Sequence, residues 1–304
     1  MIPRPLCTIA IAGLLQAPQA PVPFRSAVDV VPVDVSVMRG ATPVSGLTAA
    51  NFVLTDDGVT QEVISVTLDR LPLNVLLVLD VSSSVAGDKL THLIDAGRML
   101  VRALRPGDRA ALITFSQQVH VDVPLTADVA AIGPALASLH GRGATSLDDA
   151  VHVALQLRPL DATRSVVIVF SDGEDNLSWL PPSALVDEVR HLGVVVHAIE
   201  LQAVAQVPSY SGQSRPVAPK TPGATPVLKE LTAASGGRVW SATSSRDLRT
   251  LFTRALDEMR ARYLLTFTPK GAPQEGWHEL KVTLKDARGN VTARPGYFVS
   301  PKEH

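Results

Sequence analysis

The chain has 304 residues, enough for one large or two modest domains, and its hydrophobic content of 46% can fill a sizeable core. Aromatics are only 4%, so Val, Leu and Ala must supply that core. With 28 Lys plus Arg against 29 Asp plus Glu, the formal net charge of -1 gives no electrostatic case for nucleic acid or an anionic membrane surface.

Residues 1–20 have the layout of a signal peptide: Arg4 precedes a mostly apolar run from Leu6 to Leu15, then small and Pro-rich residues lead to Ala20. The run is too short to span a bilayer comfortably. The expectation is a secreted or periplasmic protein, cleaved after Ala17 or Ala20, with membrane contact at most through an uncleaved segment. Cys7, the only cysteine, lies in that stretch, so the mature chain would carry neither thiol nor disulfide.

Residues 27–71 read as an N-terminal β segment. Positions 28–37 alternate, with Pro32 pointing to an edge strand. Apolar runs at 52–54 and 63–68 flank Asp56-Asp57-Gly58, a hairpin signal. A short unbroken run of branched residues then follows from Val75 to Leu79, as expected of a strand buried on both faces, and it stops at Asp80.

From 72 to 261 strand and helix patterns alternate, which predicts a doubly wound, mostly parallel six-stranded sheet with helices on both faces. Leu90, Leu93, Ile94, Gly97, Leu100, Val101 and Leu104 share a helical face that Pro106-Gly107 ends. Strand 110–115 and a short edge strand near 119–123 come next, then a helix over 127–139 capped by Thr126. Ser146 to Asp149 resembles a capping box opening the following helix. Strand 166–170 ends in Ser171-Asp172, helix 182–192 stops at Gly193, and strand 194–199 follows. Residues 203–223 carry no periodicity and predict a surface loop. A helix from Pro226 to Gly236-Gly237, a sixth strand at 238–240 and an amphipathic last helix complete the pattern.

Residues 262–300 form a C-terminal β segment, with strands at 263–267, 278–284 and 297–299 and a turn over 286–290. Neither terminal block can bury a face alone. They are expected to pack together as a small β-sandwich, because the ends of an α/β domain lie close together.

In open α/β sheets ligands bind beyond the carboxyl ends of the strands. If the chain past Asp80 stays extended, Asp80, Ser82 and Ser84 face one way, a set of hard oxygen donors suited to Mg2+ or Ca2+. The alternative is a polar turn whose serines cap the next helix. Asp80, Ser82 and Ser84, followed by Thr145 and then Asp172, resemble the metal-ion-dependent adhesion site (MIDAS) of the von Willebrand factor A family, Asp-x-Ser-x-Ser with a later Thr and Asp. The flanking strand blocks, and Arg294 to Tyr297 near the end, are similar to a bacterial extracytoplasmic subgroup of that family.

The resemblance implies that Ser82, Ser84 and often Thr145 ligate Mg2+, or Ca2+ or Mn2+, directly. It implies that Asp80 and Asp172 act directly or through water, and that a partner protein supplies an Asp or Glu carboxylate as the last ligand. Asp148, Glu174, Asp175, Asn176 and Trp179 are rim or partner-contact candidates. The expected function is therefore an adhesion or interaction module and not an enzyme, the alternative being an envelope scaffold with a structural metal. A Mg2+-dependent hydrolase is disfavoured, because a haloacid-dehalogenase-type phosphatase would want an Asp where Ser82 stands, and the chain carries neither Gly-x-Ser-x-Gly nor Gly-x-x-x-x-Gly-Lys.

Overall fold

The computed structural model describes residues 30–68, 72–159, 164–172, 175–201, 225–271, 275–286 and 288–299. The expected signal segment, the 203–223 insertion and Glu174 lie outside the described residues.

The N-terminal strands are β1 (Val31–Arg39), β2 (Thr42–Pro43), β3 (Phe52–Asp56), β4 (Val59–Gln61) and β5 (Val63–Leu68). The α/β part runs β6 (Leu73–Asp80), α1 (Asp88–Arg102), β7 (Arg109–Phe115), β8 (Val119–Thr126), α2 (Ile132–Ala137) and α3 (Leu147–Gln156). It continues β9 (Arg164–Ser171), α4 (Pro182–Leu192), β10 (Val195–Leu201), α5 (Pro226–Ser235), β11 (Val239–Ala242) and α6 (Leu248–Arg260). The chain closes with β12 (Tyr263–Phe267), β13 (Gly276–Leu284), β14 (Asn290–Ala293) and β15 (Gly296–Val299).

The six-stranded sheet has the order β11-β10-β9-β6-β7-β8, parallel except for β8. Every residue of β6 is buried. Its odd-numbered side chains, Leu73 to Leu79, join a core with α1, α2 and α6. Leu76 and Val78 join the core with α3, α4 and α5 on the opposite face. That two-sided burial is what the unbroken apolar run encodes. Chain order moves outward from β6 on one side and from β9 on the other, so the topological switch point lies between these two strands.

Strands from the two ends of the chain interleave in both remaining sheets. One has the order β14-β1-β12-β5, with β2 on β1; the other is β15-β13-β3-β4. Val33, Val35, Leu54, Leu265, Phe267 and Leu280 are among the residues of their shared core, which makes the pair a β-sandwich.

Four details differ from the sequence reading. The hairpin at Asp57-Gly58, where both residues have positive φ, joins β3 to β4 over Leu54–Gln61 pairing; residues 63–68 instead enter the other sheet as β5. β1 lies inside its sheet, yet β14 covers only Val35 to Met38, so Pro32 sits where β1 pairs on one side alone. The helix expected over 127–139 is shorter and mixed: a 3-10 turn over Val129–Ala131 leads into α2, which starts two residues before Pro134, so the missing N–H falls in the first turn. A further strand, β14, occupies the stretch between the 286–290 turn and β15.

Candidate functional site

Asp80 ends β6, and Asp172 directly follows β9, so the switch point holds a carboxylate on each side. The Asp80 carboxylate is buried, accepting from the Ser82 backbone N–H through Oδ1 at 2.8 Å and from Ser171 Oγ through Oδ2 at 2.9 Å. Burial pushes the Asp80 carboxyl above its ordinary range; the Ser82 and Ser171 bonds oppose that shift, and the Asp172 charge adds to it.

Ser82 Oγ lies 3.0 Å from Ser84 Oγ, and Ser84 Oγ donates to Asp172 Oδ1 at 2.6 Å. Neither serine caps α1, whose N-cap is Gly87, so the hydroxyls face the rim cluster and not the helix. Three loops are stitched together around them. Ser83 N–H donates to Gly143 O at 3.0 Å, Arg142 N–H to Val81 O at 2.8 Å, and Asn176 N–H to Thr145 O at 3.1 Å. Gly141 permits the approach: a Cβ there would stand 2.9 Å from Ala86 Cα. Thr145 is held at this loop junction through its backbone, which also accepts from Leu177 N–H and donates to Asn176 Oδ1 at 3.0 Å.

The rim candidates take different places. Ser146 donates its hydroxyl to Ser116 O at 2.7 Å, so the expected capping box does not form. The first N–H groups of α3 go instead to the 175–178 loop: Asp148 N–H to Asp175 Oδ2 at 2.9 Å, and Asp149 N–H to Ser178 Oγ at 3.1 Å. Asp175 also accepts from the Leu177 and Ser178 N–H groups and from Ser178 Oγ. Burial raises its carboxyl, but these bonds outweigh that and hold it below the usual range.

Asp148 is only 2% exposed, and its Oδ1 has no hydrogen-bond partner among the described residues. Burial, with the Asp175 and Asp149 charges, pushes its carboxyl up to about 7. Trp179 is 95% exposed, its backbone held by the Asp149 carboxylate. It borders a groove of about 350 Å3 that Gln117, Val119, His120 and Leu177 also line.

Lys89 was not among the sequence candidates. Its Nζ reaches Asp172 Oδ2 at 2.7 Å and Ser84 O at 2.9 Å. Ser171 was also missed. For Lys89 a signal existed: it is the second residue of α1, where the helix dipole disfavours a cation unless an anion faces it.

The donor set fits a hard divalent ion. Mg2+ holds oxygens at about 2.0–2.1 Å in an octahedron, which spaces neighbouring ligands by about 2.9 Å. The separations of 3.0 Å between the serine hydroxyls and 2.6 Å from Ser84 to Asp172 bracket that value.

A second gathering of ligand-type groups lies in the sandwich, where atoms of Asp56, Asp57 and His278 all fall within 4.8 Å of one another. Here His278 Nδ1 meets Asp56 Oδ1 at 2.9 Å and Tyr297 OH donates to Asp56 Oδ2 at 2.8 Å. His278 Nε2 is buried without a partner among the described residues, whereas a metal-ligating histidine passes its second N–H to an acceptor. This group reads as a hydrogen-bonded core network.

Residues 75–174 match the sequence model of the von Willebrand factor type A domain. A UPF0353 protein of Mycolicibacterium gilvum is 24% identical over 256 residues, spanning 77% of this chain and 72% of its own. The solved von Willebrand factor type A protein from Catenulispora acidiphila is 14% identical, with a TM-score of 0.51 over 87% of this chain and 76% of its own. Proximal thread matrix protein 1 from the mussel byssus, solved with a zinc-occupied MIDAS motif, is 18% identical, with a TM-score of 0.50 over 66% of this chain and 48% of its own. At these identities the solved structures establish the fold alone. Together with the sequence match over the strands and loops that hold Asp80, Thr145 and Asp172, they identify the α/β part of this chain as a von Willebrand factor type A domain.

Proposed function

We propose that the chain is an extracytoplasmic, metal-dependent protein-binding module without catalytic turnover. Asp80, Ser82, Ser84, Thr145 and Asp172 would hold one Mg2+, with Ca2+ or Mn2+ as substitutes. The spacing of the Ser82, Ser84 and Asp172 oxygens carries this reading. The zinc-occupied motif of the mussel thread protein supports it by fold.

A bound ion supplies a Lewis-acid position for a carboxylate oxygen of the partner. The protein's own part is placement. Ser171 and the Ser82 N–H orient Asp80, while Ser84 orients Asp172. Two neutral hydroxyls beside two carboxylates no more than balance a divalent ion, and its octahedral shell keeps positions that an outside Asp or Glu oxygen can take. Secretion or periplasmic residence belongs to the same proposal; no helix among the described residues is long and apolar enough to cross a membrane.

Calorimetric titration with Mg2+ and Mn2+ tests the reading. One saturable site, reversed by EDTA and lost in Asp80→Ala, is the expected outcome. A saturating ion at a hundred times its Kd would also add about 2.7 kcal/mol of stability in wild type and none in the variant. Absence of saturable binding in wild type would overturn it.

A further inference from the structure

Asp172 is gripped from two directions. Oδ1 turns to the Ser84 hydroxyl and hence to the proposed ligand cluster, while Oδ2 is held by Lys89 Nζ, which also binds Ser84 O. The carboxylate is 2% exposed and the lysine side chain 38% exposed, so one partner is fixed and the other opens to solvent. A lysine in the first turn of a helix faces an unfavourable dipole, and Asp88 beside it is the only acidic residue of that turn. Its position is thus set by Asp172 and the Ser84 carbonyl.

The consequence is electrostatic. As carboxylates Asp80 and Asp172 have a formal charge of -2, and the Lys89 ammonium at Asp172 reduces it to -1. With a divalent ion the first arrangement would be neutral, whereas the real one keeps a surplus positive charge at the rim. We propose that Lys89 is a built-in counter-charge that weakens the hold on the metal ion and strengthens capture of an acidic side chain from the partner. This rests on the metal-binding reading above. It deepens it by naming what sets the preference for an anionic ligand.

The test uses the full chain with Mn2+ as the metal and acetate as the carboxylate probe. Wild type, Lys89→Met, Lys89→Gln and Lys89→Arg are titrated by calorimetry, and acetate binding to the Mn2+-loaded protein is followed by water-proton relaxation. Both neutral variants should bind Mn2+ about ten-fold more tightly and acetate about ten-fold more weakly, with Lys89→Arg close to wild type. A lysine that merely props Asp172 in place would give the opposite sign for the metal. Unchanged or weaker Mn2+ binding in both neutral variants overturns the inference and leaves the metal site standing. Failure of wild type to bind Mn2+ overturns both.

Discussion

The rim of the α/β sheet and the centre of the β-sandwich each gather two aspartates with neighbouring donors, yet the groups that surround those carboxylates differ. At the rim, the Ser82 and Ser84 hydroxyls face each other and Asp172, on loops at the end of the sheet. In the sandwich both Asp56 oxygens are taken, by His278 and by Tyr297, with the histidine and tyrosine rings stacked at 4.7 Å. Burial and the Asp56 carboxylate push the Tyr297 phenol upward, so it remains a donor. Ligand-type residues in proximity are therefore not enough. What separates a candidate ion site from a core network is the donor set and its place: hydroxyls and carboxylates gathered from separate loops at the switch point, against a histidine and a phenol closing on one buried carboxylate.

Breaking the sandwich network should have the largest effect. Asp56→Ala would strand the Tyr297 hydroxyl and the His278 N–H in the core, at a cost of about 3–5 kcal/mol in urea unfolding. EDTA should leave the wild-type sandwich unaffected. A loss under about 1 kcal/mol, or a chelator effect that survives Asp80→Ala, would erase the contrast between the two clusters.

The rim should behave the other way, because it contains a carboxylate that costs stability. An unfolded aspartate titrates near about 3.9, while Asp148 in the folded chain titrates at about 7. Between those values the folded chain holds a proton that the unfolded chain has lost, so stability falls as pH rises from about 4 to about 7 and stays low above it. Asp148→Asn removes this penalty. Measured in EDTA, it should gain on the order of 2 kcal/mol at pH 8 and nothing near pH 4. A gain independent of pH would assign the effect to packing instead.

Much of this contrast was legible in the residues. Asp80, Ser82, Ser84 and Asp172 stand where buried apolar strands stop, and strand ends are local signals. The sandwich was legible as two strand blocks that could not bury a face alone. The pairing details were not. Whether 63–68 folds back on β3 or crosses to β12 depends on the whole sheet, and β14 is four residues with little apolar pattern. Ser146 gave a capping-box pattern, but the groups that satisfy α3 come from Asp175 and Ser178, almost 30 residues away. Such long-range bonds carry no sequence period, which also hid the Ser171 bond to Asp80 between the ends of neighbouring strands.

The smallest effect on stability should come from Trp179, where the two halves of the comparison can be separated within one loop. Its backbone N–H is tied to Asp149 and its ring is almost wholly in solvent, so the side chain buries nothing that folding would miss. Trp179→Ala should shift unfolding by less than about 0.5 kcal/mol and leave Mn2+ affinity unchanged. An exposed tryptophan beside a groove at the rim retains its whole apolar area for a partner, and loss of such an anchor costs about 2 kcal/mol or more in binding. Trp179→Ala should therefore weaken capture of a protein ligand while thermal melting stays put. If melting fell by several degrees instead, the ring would be packing against its own loop, and the rim would resemble the sandwich more than the contrast allows.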